Sequence, residues 1–305
     1  MSRRTSRATP DKIKEKKVET MNRRIIAIFW LCVAALTACA APPTEHETTA
    51  PEGSHTATAP TSNLVAKADV REVEDALKTT LNGKDVDLFF DLVRDYNASV
   101  GDGPLHAAFD KPRAPKNDVG AIMDARDRNK KKGPDTNCRI NAFVLLKDGL
   151  VVPENINSDD AMLFMDKESL AARPLLDEKE TAAFTRLFSR VKTDDSKEAA
   201  HQGQVMEKYL SQITFPAGAS MVSVVLHDNL DGNYLFIGHV GVLVKAEEGY
   251  VFVEKISFEE PYQALKFPTK VACYAYLKDK FKDDLDPGVA PPFIMDNARY
   301  VDAVG

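Results

Sequence analysis

The hydrophobic pattern of the chain changes its period near residue 220. Before that point apolar residues recur at helical spacing. After it, β-rich runs at residues 221–227, 234–244 and 250–258 alternate with turn sequences, which predicts an antiparallel meander, and Thr269 begins a last helix over residues 270–281. The earlier spacing predicts helices over residues 70–81, 86–96, 121–132, 138–146, 161–165, 182–191 and 202–210.

These elements predict an α+β fold for residues 63–305, as a single globular domain. A helix that starts at Cys138 packs on the antiparallel meander in this interpretation, and the other helices are additions around it. With 44% hydrophobic residues, the chain can bury a sizeable core.

The N-terminal 38 residues have the pattern of a targeting segment. Arg23 and Arg24 precede an apolar run at residues 25–38 that is too short to span a bilayer, and Met21 is a better start site than Met1. The ending Leu36-Thr37-Ala38-Cys39 resembles the bacterial lipobox, in which the cysteine is lipidated and becomes the new N-terminus. We therefore expect residues 1–38 to be a lipoprotein signal peptide.

Residues 39–62 follow as the lipidated Cys39 and a disordered tether, because their composition has no apolar period and cannot bury enough surface to order itself. The expected location is extracytoplasmic, and the lipid on Cys39 holds the chain on the bacterial membrane.

Charge and composition exclude several classes of partner. The net charge is −6, but residues 1–39 carry nine basic and three acidic side chains, so the remainder has a net charge of −12 and would repel nucleic acid. Neither a metal nor a cofactor is predicted, since no His, Cys and carboxylate cluster has ligand spacing. The acidic run at residues 228–233 is interpreted as a turn rather than a calcium loop.

Cys138 is the candidate nucleophile. Asp135, Thr136 and Asn137 all favour a helix N-cap, so Cys138 falls in the first helical turn, where free backbone N–H groups and the helix dipole favour a thiolate. Two alternatives stay open, namely a disulfide with Cys273 and an inert buried thiol.

His239 is the candidate base, and His227 is its reserve. If residues 245–248 form a four-residue hairpin loop, His239 faces Glu254 directly on the next strand, and this carboxylate would orient the imidazole. An odd-numbered loop would bring Lys255 or Ser257 to that face instead.

Two resemblances extend this interpretation. A cysteine at a helix N-terminus, a histidine on a strand and a polar residue on the next strand resemble the NlpC/P60 branch of the papain-like cysteine peptidases. That resemblance implies a papain-like fold and gives Cys138, His239 and Glu254 the roles of nucleophile, base and orienting residue toward cell-wall peptides.

The second resemblance covers most of the chain after the signal segment. A family of bacterial lipoproteins, domain of unknown function 4300, is resembled by Thr61-Ser62-Asn63-Leu64, Asn137-Cys138-Arg139-Ile140, residues 238–243 and residues 252–255 with 260–267. It implies a surface lipoprotein and supplies no activity. Five further residues are candidates for the pocket, namely Asn137, Arg139, Lys255, Tyr262 and Gln263.

The sequence thus favours an extracytoplasmic lipoprotein that acts as a thiol hydrolase or acyltransferase on cell-wall peptides or other amide or ester bonds. The alternative is a non-catalytic envelope-binding lipoprotein of unknown ligand, in which the same residues pack a cleft. Whether the domain is an enzyme stays open at this point.

Overall fold

The structure is a computed structural model that describes residues 59–101, 103–109, 117–131, 135–283 and 286–301. The predicted signal peptide, the predicted lipidation site Cys39 and most of the predicted tether lie outside these residues. In the part that is described, no helix is long and apolar enough to cross a membrane.

Eight α-helices are found among the described residues, most of them where the hydrophobic pattern predicts a helix. They are α1 (Lys67–Lys78), α2 (Gly83–Val100), α3 (Val119–Arg128), α4 (Cys138–Leu146), α5 (Phe164–Ala172), α6 (Glu178–Leu187), α7 (Ala199–Leu210) and α8 (Lys270–Lys280).

The strands of the described chain form one eight-stranded antiparallel sheet. They are β1 (Thr61–Ser62), β2 (Val191–Lys192), β3 (Ala219–Asp228), β4 (Tyr234–Lys245), β5 (Tyr250–Lys255), β6 (Tyr262–Phe267), β7 (Phe293–Asp296) and β8 (Arg299–Val301). The spatial order is β1-β6-β5-β4-β3-β7-β8, and β2 pairs with the start of β4. The predicted α+β class and antiparallel meander are therefore confirmed.

The two faces of the sheet are covered by different helices. Alternate residues of β4 and β5 point to opposite sides, so Val242 and Val253 join the larger hydrophobic cluster with α1 to α7, whereas Leu243 and Phe252 join the smaller cluster with α8. Cys138 belongs to the larger cluster and Cys273 to the smaller one, and both thiols are free. The alternative of a disulfide between them is wrong, since both thiols are free and they pack in different hydrophobic clusters.

Three predicted boundaries need correction. The helix predicted over residues 182–191 ends at Leu187, and Val191 belongs to β2. Residues 59–62, the end of the predicted tether, belong to the domain, since Thr61 and Ser62 pair with Leu265 and Ala264 and satisfy the outer edge of β6. Residues 161–163 form a turn rather than the start of a helix, because the carbonyl of Asp160 accepts a hydrogen bond from the N–H of Leu163 at 2.9 Å. The helix there runs from Phe164 to Ala172.

Candidate active site

Cys138 is the first residue of α4, as the sequence predicts. Asn137 precedes it in an extended conformation, and its side-chain Oδ1 accepts a hydrogen bond from the Ile140 N–H at 3.0 Å. This cap satisfies one free donor of the first turn and leaves the thiol beside the positive end of the helix. Cys138 is buried, with 6% of its surface exposed.

His239 on β4 lies next to the carboxylate of Glu254 on β5. Its Nε2 makes a short hydrogen bond to Oε2 of Glu254, and both residues are 2% exposed. This contact occupies Nε2 and leaves Nδ1 as the ring nitrogen that can face Cys138.

The pairing that produces this contact differs from the predicted one. Val244 pairs with Val251 rather than with Gly249, so His239 and Glu254 are diagonal neighbours and do not face each other directly. The four-residue loop is 246–249, since Gly249 adopts a left-handed φ of 67° that ends the turn before Tyr250. An even loop keeps the parity, so both side chains still lie on one face.

The Cys138 thiol and the His239 imidazole interact directly. Burial raises the pKa of the thiol, but the hydrogen bond and the charge of His239 outweigh it, and the net pKa of Cys138 is lowered. Burial also opposes the charge on His239, but Glu254 and Cys138 outweigh it and raise the pKa of the imidazole to about 9. Both shifts favour the thiolate–imidazolium form of the pair over the neutral form.

Glu254 is held on its other oxygen by three donors. Oε1 accepts hydrogen bonds from Gln263 Nε2, from Tyr276 Oη at 3.2 Å and from Lys280 Nζ at 3.0 Å. Burial raises the pKa of this carboxyl, but Lys280 and His239 outweigh it and hold the pKa well below its usual range. With Cys138 as the thiolate, four alternating charges follow one another, on Cys138, His239, Glu254 and Lys280, and sum to zero.

An aromatic side chain covers the imidazole. Phe281, directly after α8, stacks on His239 with ring centroids 5.1 Å apart and an interplanar angle of 28°. Together with Lys280 it closes the α8 side of the site. Tyr276, Lys280 and Phe281 were not predicted as site residues. The four-residue spacing of Tyr276 and Lys280, however, places both on one helix face and could have indicated that they act together.

The five predicted pocket residues divide into three groups. Gln263 pairs with Glu254 across β5 and β6 and contacts its carboxylate, so it is part of the site. Asn137 and Arg139 flank Cys138, but their side chains turn to the buried carboxylate of Asp166, a residue that the sequence analysis missed.

Lys255 and Tyr262 point to the opposite face of the sheet from Glu254 and Gln263. Lys255 Nζ donates hydrogen bonds to the backbone carbonyls of Ser257, Phe258 and Glu260, and burial lowers the pKa of this amine to about 8. The Tyr262 hydroxyl bonds to Thr136 and Asn141. These two residues therefore support the segments around the site and do not reach the dyad.

The reserve base His227 has a different neighbourhood. Its Nδ1 accepts a hydrogen bond from the Ala290 N–H at 3.1 Å, and its Nε2 is buried without a partner. The imidazole that contacts Cys138 is that of His239.

One groove of the described surface lies near these residues but does not open onto them. It has a volume of about 310 Å³ and lies beside the segment that precedes Cys138, where Asp135, Met165 and Phe258 help to line it. Among the described residues, no group of three or more His, Cys, Asp or Glu side chains could hold a metal ion. The charge arrangement, and not a cavity, thus identifies the site.

The fold and site define an α+β domain with a buried Cys–His–Glu arrangement at a helix N-terminus. The chain belongs to the family described as domain of unknown function (DUF4300), whose model matches residues 60–301. No curated protein and no solved structure matches the chain.

Proposed function

We propose that the protein is an extracytoplasmic lipoprotein whose domain is a thiol hydrolase or acyltransferase for amide or ester bonds, with cell-wall peptides as the first substrate class. The observation that carries the proposal is the buried arrangement of Cys138, His239 and Glu254, with the partly exposed Lys280 paired to the carboxylate. Burying such charges costs several kcal/mol per ion before pairing, and shifted pKa values of this kind cluster at functional sites.

In the proposed mechanism the Cys138 thiolate attacks the carbonyl carbon of the substrate. A C–S bond forms, and the electron pair of the carbonyl moves to its oxygen, where the Cys138 backbone N–H and the helix N-terminus stabilise the charge. The bond to the leaving group then breaks, and the leaving nitrogen or oxygen takes the proton of the His239 imidazolium. The product of this half-reaction is a thioester on Cys138.

The second half-reaction reverses these roles. His239, now neutral, takes a proton from water or from an acceptor amine or alcohol, which attacks the thioester. The C–S bond breaks, and Cys138 leaves as the thiolate. Glu254 stays ionised throughout and holds the ring by Nε2, so that Nδ1 remains directed at the sulfur.

The papain-like part of the proposal rests on the order of the elements. Cys138 begins a helix that packs on the sheet, His239 follows on a strand, and Glu254 lies on the neighbouring strand. The lipoprotein part rests on the basic residues, the apolar run and the lipobox-like ending at Cys39.

Alkylation of Cys138 in the full-length chain tests the central step. The rate of alkylation by iodoacetamide is followed on the Cys138 peptide by mass spectrometry. As the pH increases, this rate is expected to rise along a titration curve whose pKa lies clearly below the free thiol value of about 8.5. His239→Ala is expected to return this pKa toward that value because the imidazolium that stabilises the thiolate is gone.

Formation of an acyl-enzyme on Cys138 is measured in parallel, with p-nitrophenyl acetate as the acetyl donor. A burst of nitrophenol with one acetyl group on Cys138 is expected, and Cys273→Ala is the control that keeps both results. An ordinary thiol pKa that does not depend on His239 would overturn the proposal.

The second candidate function is a non-catalytic envelope-binding lipoprotein. It is favoured by the low exposure of the site, since Cys138 is 6% and His239 is 2% exposed, and by the groove that lies apart from them. The two candidates diverge in the same experiment, because a binding protein needs neither a depressed thiol pKa nor an acetyl intermediate.

A further inference from the structure

Asp166 is a fully buried carboxylate that binds the residues on both sides of Cys138. Its Oδ1 accepts hydrogen bonds from Asn137 Nδ2 at 2.8 Å and from Arg139 Nε at 3.0 Å, and its Oδ2 accepts one from Arg139 Nη2 at 2.6 Å. One side chain of α5 thus fixes the first turn of α4 immediately before and after the thiol.

Arg139 extends this contact to the strand of the histidine. Its Nη1 donates a hydrogen bond to the backbone carbonyl of Ile237 at 3.1 Å, two residues before His239 on β4. The guanidinium therefore joins the helix that carries the sulfur to the strand that carries the imidazole. A planar fork of donors can make all three contacts at once, which a lysine cannot.

The burial of this pair is costly and calls for an explanation. Arg139 is 5% exposed and Asp166 is not exposed at all, and removing two charges from water costs several kcal/mol per ion. An apolar pair of similar volume would pack there at lower cost. Apolar side chains, however, have no direction, whereas Arg139 makes directed hydrogen bonds both to Asp166 on α5 and to the Ile237 carbonyl on β4, and these fix the orientation of α4.

We propose that Asp166 and Arg139 are positioning residues, which hold the first turn of α4 against β4 so that the Cys138 sulfur stays in contact with His239. The inference rests on the proposed thiolate chemistry. It assigns Arg139 a role outside the substrate pocket, and it gives Asp166 a role that its place in the sequence does not indicate.

Asp166→Asn separates positioning from a simple charge effect. After burial and His239, the charge of Arg139 lowers and that of Asp166 raises the pKa of the Cys138 thiol. If charge alone mattered, removing the carboxylate charge would lower this pKa further. If positioning matters, loosening the contact with His239 raises it, so the two accounts predict opposite signs.

The experiment uses the full-length chain and iodoacetamide alkylation of Cys138 between pH 5 and 9. Asp166→Asn is expected to raise the thiol pKa toward about 8.5 and to slow alkylation at pH 6 about tenfold for each unit of that rise. Arg126→Met is the matched control, because Arg126 and Asp135 form a second buried ion pair near Cys138, at 2.6 Å, and within the described chain their side chains make no hydrogen bond to β4. This control is expected to lower the melting temperature and to keep the thiol pKa.

A second variant decides the matter if Asp166→Asn does not fold. Arg139→Lys keeps the charge beside Cys138 but cannot bind Asp166 and Ile237 together, and it is expected to raise the thiol pKa in the same direction. An unchanged or lowered thiol pKa in the folded variants overturns the inference alone, provided that the wild-type thiol is acidic. A wild-type thiol of ordinary pKa overturns the proposed function as well.

Discussion

A proton shared between Cys138 and His239 has consequences for stability as well as for reactivity. In the unfolded chain at pH 7 the cysteine keeps its proton and the histidine has lost one, whereas the lowered thiol pKa and the raised imidazole pKa of the folded chain favour a thiolate and an imidazolium. Both states of the pair bind one proton. Its contribution to the free energy of unfolding is therefore expected to be independent of pH between about 6.5 and 8.5.

Cys138→Ser is expected to expose a pH dependence that the wild-type protein lacks. His239 keeps Glu254 and a raised pKa, so its stabilisation is fully present below the unfolded pKa of about 6.5 and is lost as pH rises toward the folded pKa. The free energy of unfolding should then fall by up to about 1.4 kcal/mol per pH unit over part of this range. Urea unfolding at several pH values measures it.

Cys273→Ala is the control for that measurement. It removes a buried thiol from the other face of the sheet and should lower stability equally at every pH between about 6.5 and 8.5. A Cys138→Ser protein whose stability is as flat with pH as that of the wild type would contradict the charged state assigned to His239.

Local sequence patterns identify some residues of the site and not others. Cys138 and His239 could be found because a run of N-cap residues and a β-rich pattern place them on elements, and hairpin parity then indicates Glu254. Asp166 and Lys280 could not be found this way. Their contacts with the site join residues 27 and 26 positions apart, respectively, and no local pattern encodes such a distance.

At the scale of elements, capping signals and long β-rich runs were the reliable guides. Asp177 and Glu180 form a capping box at the start of α6, a pattern readable in the sequence, and the predicted helix start at Thr269 is present as a cap. The strand β6 was missed, although it supplies Gln263, and so were the two-residue strands β1 and β2. Such short strands are defined by their partners in the sheet rather than by their own composition.

Gly241 makes the close pairing of β4 and β5 beside the site possible. A Cβ at this position would lie 2.3 Å from the Phe252 ring and 2.7 Å from the Val253 carbonyl oxygen. Gly241→Ala is therefore expected to push the strands apart, to destabilise the domain by about 1–3 kcal/mol and to slow Cys138 alkylation. Chemical denaturation and the alkylation assay measure the two effects.

Gly83→Ala provides the comparison, since a Cβ at the first residue of α2 meets nothing within 4 Å. Its effect should be small, and a modest stabilisation is expected from the better helix propensity of alanine. A Gly241→Ala protein as stable as Gly83→Ala would contradict the steric account.

At the scale of the whole molecule, the proposed lipid anchor determines where the domain acts. In bacterial cells, Cys39→Ser is expected to abolish labelling of the chain by a radioactive fatty acid, because the thiol that carries the lipid is absent. The lipid-modified form of the chain should then be missing from the membrane fraction. Cys32→Ser is the matched control, since Cys32 lies within the apolar run and not at the lipobox-like ending. Equal labelling of the Cys39→Ser and wild-type chains would contradict the proposed anchor.

The sequence by itself determined the α+β class, the antiparallel meander, the helix that begins at Cys138 and the shared face of His239 and Glu254. These features follow from local periods and caps, which depend on neighbours a few residues apart. The tertiary structure alone decided the pairing of β4 with β5, the separation of Cys138 from Cys273 and the contacts of Asp166 and Lys280. Each of these depends on which segments, distant in the sequence, pack against each other. A buried charge needs a partner of opposite charge, and only the fold determines which residue lies close enough to provide it.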